Sequence, residues 1–254
     1  MTNRFVLDFA LGFARERGGA RVLDYGCGAG LLVEAGRQEG LDIAGADVYY
    51  GGSQTRSEAV ARGMLGGAIR EMSDGLLDYP AATFDLVVNN QVLEHVVDLP
   101  GTLAEIDRVL KPGGAVLSVF PSVDVFREGH IGIPFSHWFT KGSRARFYYT
   151  WALRSLGFGT WKEQAPTCRQ WAVDKLAWID TYTRYRSRRE IFEAFDRFFT
   201  SELRESDYIR YRLLDRPGRE LPARIAGSSV VAPVARAVFR KLAFLVILSR
   251  KAAA

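Results

Sequence analysis

The pattern of apolar and polar positions between residues 21 and 120 alternates between short β-rich runs and amphipathic helical stretches. The runs predict strands over residues 21–25, 42–47, 68–72, 84–89 and 115–120. Helices are predicted between them, over residues 31–39, 53–62 and 99–110. The segment KPGG at 111–114 should end the last helix, because proline and glycine stop helices. Strands that alternate with helices indicate a parallel sheet with helices on its faces.

The pattern outside this region predicts mostly helix. Residues 1–19 should form an amphipathic helix rather than a secretory signal, because Asp8 interrupts the apolar stretch. Downstream, the predicted elements are a helix over 147–156, a sixth strand over 157–164, helical structure over 172–199 and a separate helix over 230–250. Two short segments, RPG at 216–218 and AGSS at 226–229, are candidate linkers. We therefore expect a core over residues 1–165, a helical cap and the end of the core over 166–215, and a C-terminal helix over 229–251.

Composition supports an ordinary folded protein. The 254 residues are 48% hydrophobic and 25% charged, which suits one sizeable α/β domain with a small accessory lobe. The two cysteines, Cys27 and Cys168, provide no disulfide framework, so a reducing, cytoplasmic setting is expected.

Charge is concentrated at the C-terminus. Residues 221–254 hold six basic side chains and no acidic ones, which exceeds the net charge of +5, so the rest of the chain is nearly neutral. This near-neutral body argues against a nucleic-acid partner. The apolar run 242–248 is too short to span a bilayer. As a basic amphipathic helix, the C-terminal segment can lie on the inner face of a membrane, pack on its own sheet or contact a second subunit in a homodimer.

A glycine-rich turn follows the first predicted strand. In VLDYGCGAG (residues 22–30), Asp24 is followed by glycines at every second position, Gly26, Gly28 and Gly30. Glycine lets the backbone turn sharply and approach a ligand closely, and the next helix begins at once. The dinucleotide motif G-x-G-x-x-G fails here because its sixth position is Leu31. Asp47, at the end of the second strand, can accept hydrogen bonds from both hydroxyls of a ribose.

Together with SDG (73–75) and FDLVVNNQVLEHV (84–96), this pattern resembles the class I S-adenosylmethionine-dependent methyltransferases, in particular the group that includes ubiquinone, sterol and bacterial glycan-pathway enzymes. The resemblance implies a Rossmann-like, doubly wound and mostly parallel seven-stranded sheet, with an aromatic-rich helical cap as an insertion. It also implies S-adenosylmethionine as cofactor. The glycines, Asp24, Asp47 and Val48 would bind it, Asp74 and Gly75 would contact the adenine, and Asn89, Asn90 and Gln91 would lie at the methionine end.

Histidine is rare in the chain, and the resemblance places all three histidines in the acceptor cleft. A hydroxyl acceptor needs a base or a metal to lower its pKa, whereas an amine needs only desolvation. His95 or His137 could be the base. Alternatively, Glu94, His95 and His130 could hold Mg²⁺ or Mn²⁺, an arrangement similar to that of plant small-RNA 2′-O-methyltransferases, although Gln91 replaces the first acid of their motif and weakens this interpretation. In a third interpretation, His95 is purely structural.

These features favour an O-methyltransferase that acts on a hydroxyl of a sugar, a lipid-linked glycan or a similar small acceptor. Aromatic and arginine side chains alternate through residues 138–189, where rings can stack on sugar faces and arginines can bind phosphate, although most rings can equally form the core of the cap. Two alternatives remain open: C-methylation of a quinone-like lipid, and a catalytically silent module that binds the cofactor.

Overall fold

A seven-stranded sheet forms the centre of the computed structural model, which describes residues 2–50, 54–73, 75–214 and 231–253. The strands are β1 Arg21–Tyr25, β2 Asp42–Asp47, β3 Ile69–Glu71, β4 Phe84–Asn90, β5 Leu110–Phe120, β6 Thr200–Leu203 and β7 Leu245–Arg250. Their order is β3-β2-β1-β4-β5-β7-β6. Strands β1 to β5 pair in parallel, and β7 runs antiparallel between β5 and β6. The expected doubly wound, mostly parallel sheet is confirmed.

Helices cover both faces of this sheet. The helices of the described residues are α1 Thr2–Glu16, α2 Leu31–Gln38, α3 Thr55–Ala61, α4 Leu99–Val109, α5 Arg144–Ser155, α6 Cys168–Tyr182, α7 Arg188–Phe195, α8 Glu205–Leu214 and α9 Ala232–Leu242, of which α5 and α6 lie in a separate cluster apart from the sheet. Neighbouring residues on one strand, such as Val116 and Leu117, are both buried but belong to opposite apolar layers. Strands buried on both faces have nearly continuous apolar sequences, as β4, β5 and β7 do.

The C-terminal segment differs from the prediction. Helix α9 ends at Leu242, and residues Leu245–Arg250 form β7 in the interior of the sheet rather than the end of a long helix. Phe120 pairs with Leu245, and Leu203 pairs with Ile247. Burial on both faces explains the error, since a fully buried strand is as uniformly apolar as a buried helix.

The predicted sixth strand over 157–164 is also wrong. Gly157, Gly159 and Trp161 have positive φ angles of 92°, 96° and 53°, which are incompatible with an extended strand. The segment ends in a 3₁₀ turn, Lys162–Gln164. The predicted helical stretch 172–199 is two helices, α6 and α7, separated by residues 183–187, and the KPGG segment lies inside β5 rather than before it.

The loop of residues 127–143 forms a cap together with α5 and α6. A separate apolar cluster stabilises this cap. Trp171 and Ile179 of α6 pack there on Ile131 and Ile133 of the loop. The expected boundary at residue 165 therefore divides the cap, since α5 lies with α6. Both predicted linkers fall outside the described residues. Within the described part of the chain, no helix is long and apolar enough to cross a membrane.

Candidate functional site

A cavity of about 600 Å³ opens at the carboxyl ends of β1, β2 and β4. Parallel α/β sheets bind their ligands at this edge. Of the residues predicted to bind the cofactor, Gly26, Gly28, Asp47, Val48, Gly75 and Gln91 line the cavity. The cavity is also lined by residues that were not predicted to bind the cofactor: Tyr25, Tyr50, Thr55, Met72, Leu76, Val92, Val96, Val97, Asp98, Gly101, Thr102 and Glu105.

The three glycines of the turn, Gly26, Gly28 and Gly30, are not all required for the same physical reason. A Cβ on Gly26 would lie 2.5 Å from Val92, and one on Gly30 would lie 2.4 Å from Ile69, so these two glycines are required by the packing of the protein itself. At Gly28 the nearest atoms would be those of Thr55, at 3.7 Å, and the residue borders the cavity. Gly28 is therefore the position where close approach of a ligand explains the missing side chain.

Asp47 joins the glycine turn to the loop after β2. Its carboxylate accepts from the Gly28 amide (Oδ2, 2.8 Å) and from the Tyr49 amide (Oδ1, 2.8 Å). The Tyr49 hydroxyl in turn donates to the Gly28 carbonyl oxygen, at 3.0 Å. Each carboxylate oxygen has a further lone pair, so the two can still accept from a vicinal diol. The open position at Gly28 and this carboxylate fit a nucleoside with a free ribose.

The remaining predicted cofactor residues lie behind the cavity wall or outside the described chain. Asp24 is buried, and burial together with the charge of Asp47 raises its pKa to about 7. Asn89 is buried and donates to the Ser118 hydroxyl, whereas Asn90 donates to the Asn3 side chain of α1. Asp74 lies outside the described residues.

Two of the three histidines meet beside the cavity. The Nε2 atoms of His95 and His130 are 3.3 Å apart. His95 Nδ1 is 2.7 Å from the Tyr182 carbonyl oxygen, and His130 Nδ1 is 2.7 Å from Glu128 Oε1. Glu128 is fully buried and also accepts from the Tyr185 hydroxyl, at 2.5 Å, and from the Ile131 amide.

These contacts determine where the protons of the histidine pair are. A carbonyl or carboxylate oxygen only accepts, so both Nδ1 atoms carry hydrogen. In two neutral rings, both Nε2 atoms would then present lone pairs to each other across 3.3 Å. That contact is repulsive unless a cation lies between the nitrogens, either a shared proton or a metal ion.

Glu94 adds a carboxylate to the pair. It is 1% exposed, and neither of its oxygens has a hydrogen-bond partner among the described residues. Burial raises its pKa to about 7. One ligand atom each from Glu94, His95 and His130 lie within 4.8 Å of one another. Two imidazole nitrogens and one carboxylate oxygen fit Mn²⁺ or Zn²⁺ better than Mg²⁺, which prefers oxygen ligands.

The two histidines differ in their ability to hold a proton. Burial lowers the pKa of His95. Burial also acts to lower the pKa of His130, but the hydrogen bond and charge of Glu128 outweigh it and the pKa is raised. In the proton-sharing state, His130 is therefore the donor and His95 the acceptor.

His137 does not join this cluster. Its Nε2 faces the Val123 carbonyl oxygen at 3.2 Å, and its ring lies against that of Tyr185, with 4.9 Å between the ring centroids. Aromatic rings surround the pair itself. Trp178 lies 6.1 Å from the His95 ring and 5.3 Å from the His130 ring, and Tyr50, which lines the cavity, stacks on Tyr182.

The segment that links α6 to α7 holds the Glu94–His95 turn in place. The Arg186 guanidinium donates to the carbonyl oxygens of Leu93, Val96 and Val97, at 3.1, 2.6 and 2.9 Å. The Arg184 amide donates to the Glu94 carbonyl oxygen, at 2.6 Å. The cap and the core thus position the cluster jointly. Glu128, Tyr185 and Arg186 stand in no recognisable motif, so these roles could not be predicted from the sequence.

Comparison with known proteins agrees with this geometry. A family model described as a methyltransferase domain matches residues 3–196. A ubiquinone biosynthesis O-methyltransferase of Maricaulis maris is 33% identical over 110 residues, 43% of this chain and 43% of that protein. Its namesake in Pectobacterium atrosepticum is 32% identical over 111 residues, 42% of this chain and 46% of that protein. The match thus spans less than half the length of these curated relatives.

The fold similarity extends further along the chain. The crystal structure of an S-adenosylmethionine-dependent methyltransferase from Mesorhizobium loti is similar with a TM-score of 0.54. The similarity covers 92% of this chain and 91% of that chain at 18% sequence identity. Likeness at this identity concerns the fold, including the sheet that positions the cavity.

Proposed function

This chain belongs to the methyltransferase domain family, and we propose that it is an enzyme that transfers the methyl group of S-adenosylmethionine to a hydroxyl of an acceptor. The observation that carries the proposal is the pair of imidazoles whose Nε2 atoms face each other 3.3 Å apart beside the unpartnered Glu94 carboxylate. An amine acceptor would need no such group, because its lone pair attacks once it is desolvated. A hydroxyl must lose its proton, so a cluster that takes up a cation is of use to it.

Alignment is the second contribution of the site. Gly28, Asp47 and Gln91 would hold the cofactor in the cavity, and His95 borders the same cavity. An acceptor hydroxyl at the His95 ring would therefore lie next to the bound cofactor. Holding the two reactants together in line removes much of the entropic barrier.

The cluster can activate the hydroxyl in two ways. With a divalent cation on Glu94, His95 and His130, the metal would lower the pKa of a hydroxyl bound to it. Without a metal, the pair in its unprotonated form would act as the base: His95 Nε2 would take the proton of the acceptor hydroxyl, and that proton would then be shared with His130 Nε2, while Glu128 holds His130 in its tautomer through Nδ1. In both cases, the rings of Trp178 and of the Tyr50–Tyr182 stack would cover part of the reacting groups.

The acceptor we favour is a sugar, a lipid-linked glycan or a similar small molecule. Support comes from the flat rings around the histidine pair, which suit the apolar face of a sugar. The names of the curated relatives point to a phenolic hydroxyl on a quinone precursor as the second candidate, because the same aromatic walls can stack on a quinone ring. O-methylation is common to both. C-methylation of a quinone-like lipid needs no cluster that binds a cation, and nothing in the site favours it.

Contact with a membrane through α9 is a prediction that accompanies a lipid-linked acceptor. Val234, Val238 and Leu242 stand four residues apart, are 52–66% exposed and so form an apolar stripe on this helix. Lys241 lies beside the stripe. An exposed apolar stripe next to basic residues is typical of helices that lie on anionic bilayers.

The proposal is tested by incubating the protein with methyl-labelled cofactor and a panel of hydroxyl, amine and carbon acceptors. Label should appear on hydroxyls. Transfer to amines or carbon alone would contradict the proposal, and tight cofactor binding without transfer to any acceptor would favour a silent binding module.

Chelation separates the two forms of activation. If a metal acts, EDTA should abolish transfer, Mn²⁺ should restore it, and excess Mn²⁺ should partly rescue Glu94→Gln. If the histidine pair acts alone, EDTA should have no effect and the rate should fall as the pH drops through the range of histidine, normally about 6.5. A rate that resists EDTA and stays flat with pH would rule out both forms and leave alignment as the mechanism.

A further inference from the structure

Three arginines line a second cavity, of about 470 Å³, away from the cofactor cavity. Arg188 comes from the first turn of α7, and Arg236 and Arg240 come from α9. Phe192, Leu203 and Pro233 form apolar walls between them. Two helices that are distant in sequence therefore contribute arginines to the lining of one cavity.

The positive charge of this cavity is only partly balanced. Asp124 pairs with Arg188 at 3.3 Å and with Lys241 at 3.4 Å, and the buried Glu205 pairs with Arg240 at 3.4 Å. Arg236 forms no ion pair with a described residue. Among the described residues, the three lining arginines and the neighbouring Lys241 thus have two carboxylates as ion-pair partners.

Most of the hydrogen-bond donors in the cavity are also unused. Each guanidinium carries five N–H groups. Within the described structure, Arg188 donates through one nitrogen to Asp124, and Arg240 donates through one nitrogen to Glu205. Planar guanidinium groups bind phosphate with paired hydrogen bonds, so the cavity has the charge and the donors for a phosphate group.

The cavity lies on the same edge of the sheet as the cofactor cavity. Leu203 is the last residue of β6, and β6 is three places from β4 in the strand order. Neighbouring strands are 4.7–4.9 Å apart, so the end of β6, which borders the arginine cavity, is on the order of 14 Å from the end of β4, five residues before His95. A sugar or glycan with a phosphate attached can span such a distance.

We propose that the arginine cavity binds a phosphate group of the methyl acceptor, while the hydroxyl to be methylated lies at the histidine pair. The acceptor class is then a phosphorylated or phosphate-linked sugar rather than a free one. This inference rests on the proposed function, but phosphate binding can be measured without any methyl transfer.

Calorimetric titration of the full chain with inorganic phosphate tests the cavity directly. The wild-type protein should bind phosphate at one site, and Arg188→Gln and Arg236→Gln should each weaken binding about tenfold or more, because each removes a charge-assisted contact. Arg189→Gln is the matched control, since that side chain is 87% exposed, pairs with Glu193 and lies outside the cavity. Failure of the wild type to bind phosphate, or equal weakening by Arg189→Gln, would overturn the proposal.

Kinetics and vesicles identify the source of the phosphate. Inorganic phosphate should inhibit methyl transfer competitively against the acceptor in the wild type, and much less in Arg236→Gln. If phosphate binds but leaves transfer unaffected, the assignment to the acceptor is wrong. Binding to phosphatidylglycerol vesicles but not to phosphatidylcholine vesicles, lost in Arg188→Gln and without inhibition by free phosphate, would overturn it in favour of a lipid headgroup.

Discussion

Gly28 is the residue at which cofactor binding can be tested with the least disturbance of packing. A Cβ there would meet no protein atom closer than Thr55, at 3.7 Å, and the branched side chain of a valine would project beside the cavity. We expect Gly28→Val to fold and to lose S-adenosylmethionine binding. Its φ of 53° should cost about 1–2 kcal/mol of stability, as a left-handed conformation does for residues with a Cβ.

Gly40→Val supplies the control for this strain. Gly40 has a φ of 81°, has open space where a Cβ would be placed, and follows the end of α2 remote from the cavity. Both variants should lose similar stability in denaturant unfolding, and only Gly28→Val should lose the calorimetric signal of the cofactor. Equal affinities in the two variants would contradict the assignment of Gly28.

Asp24 should make the stability of the protein depend on pH. Its pKa is raised from 3.8 to about 7, so between these values the folded state holds a proton that the unfolded state has released. Stability should therefore fall as the pH rises from about 4 to 7. Asp24→Asn removes this penalty and should be more stable than the wild type at pH 8, by about 4 kcal/mol.

Denaturant unfolding at pH 5 and pH 8 measures the effect. The stability gap between Asp24→Asn and the wild type should widen with pH. The exposed carboxylate of Asp42, whose side chain is 72% exposed, provides a control, since Asp42→Asn removes a charge that stays in water. A gap that is the same at both pH values would show that Asp24 is already ionised in the folded protein.

At the scale of single residues, the sequence could predict the cofactor-binding residues better than the histidines that would activate the acceptor. Gly28 and Asp47 lie within ten residues of a strand end, so local structure alone brings them to the cavity edge. The pairing of His95 with His130, and the exclusion of His137, depend on the 127–143 loop and the 183–187 segment. Both are irregular, and neither shows a hydrophobic period from which its position could be predicted.

Among the secondary-structure elements, β7 gives the sharpest test of the fold. Leu248 is 3% exposed in this strand, whereas Leu242, six residues earlier at the end of α9, is 66% exposed. The same substitution should therefore cost much more stability at Leu248 than at Leu242. Leu248→Ala should reduce the free energy of unfolding by about 2–5 kcal/mol. Leu242→Ala should change it by about 0.5 kcal/mol or less. Similar values for the two variants would show that residues 245–250 are not in the sheet.

Some element boundaries were visible in the sequence and others were not. Ser187 and Glu190 form a capping box at the start of α7, a pattern that marks a new helix within the stretch 172–199. The break before β7 has no such mark. The run from Leu242 to Leu248 is apolar throughout, and only the sheet, with an apolar layer on each face, makes it a strand.

On the scale of the whole molecule, the cap and the core depend on each other through the histidine site. The core supplies Glu94 and His95, and the cap supplies His130. Arg186 connects the two by its three hydrogen bonds to the 93–97 turn. The Tyr182 carbonyl oxygen accepts from His95 in the same region. Weakening the hydrogen bonds of Arg186 should therefore make both the 93–97 turn of the core and the neighbouring 182–186 segment more mobile.

Arg186→Lys tests this coupling, because a lysine has a single nitrogen that cannot reach three separate carbonyl oxygens as the guanidinium fork does. Hydrogen exchange should speed up in residues 93–97 and in residues 182–186 together, while α1 stays unchanged. Methyl transfer should fall about tenfold or more, because small displacements of reacting groups are costly. Arg189→Lys, on the exposed face of α7, should alter neither property. Faster exchange confined to residues 182–186 would mean that the core holds His95 without the cap, and that the two parts of the site are independent.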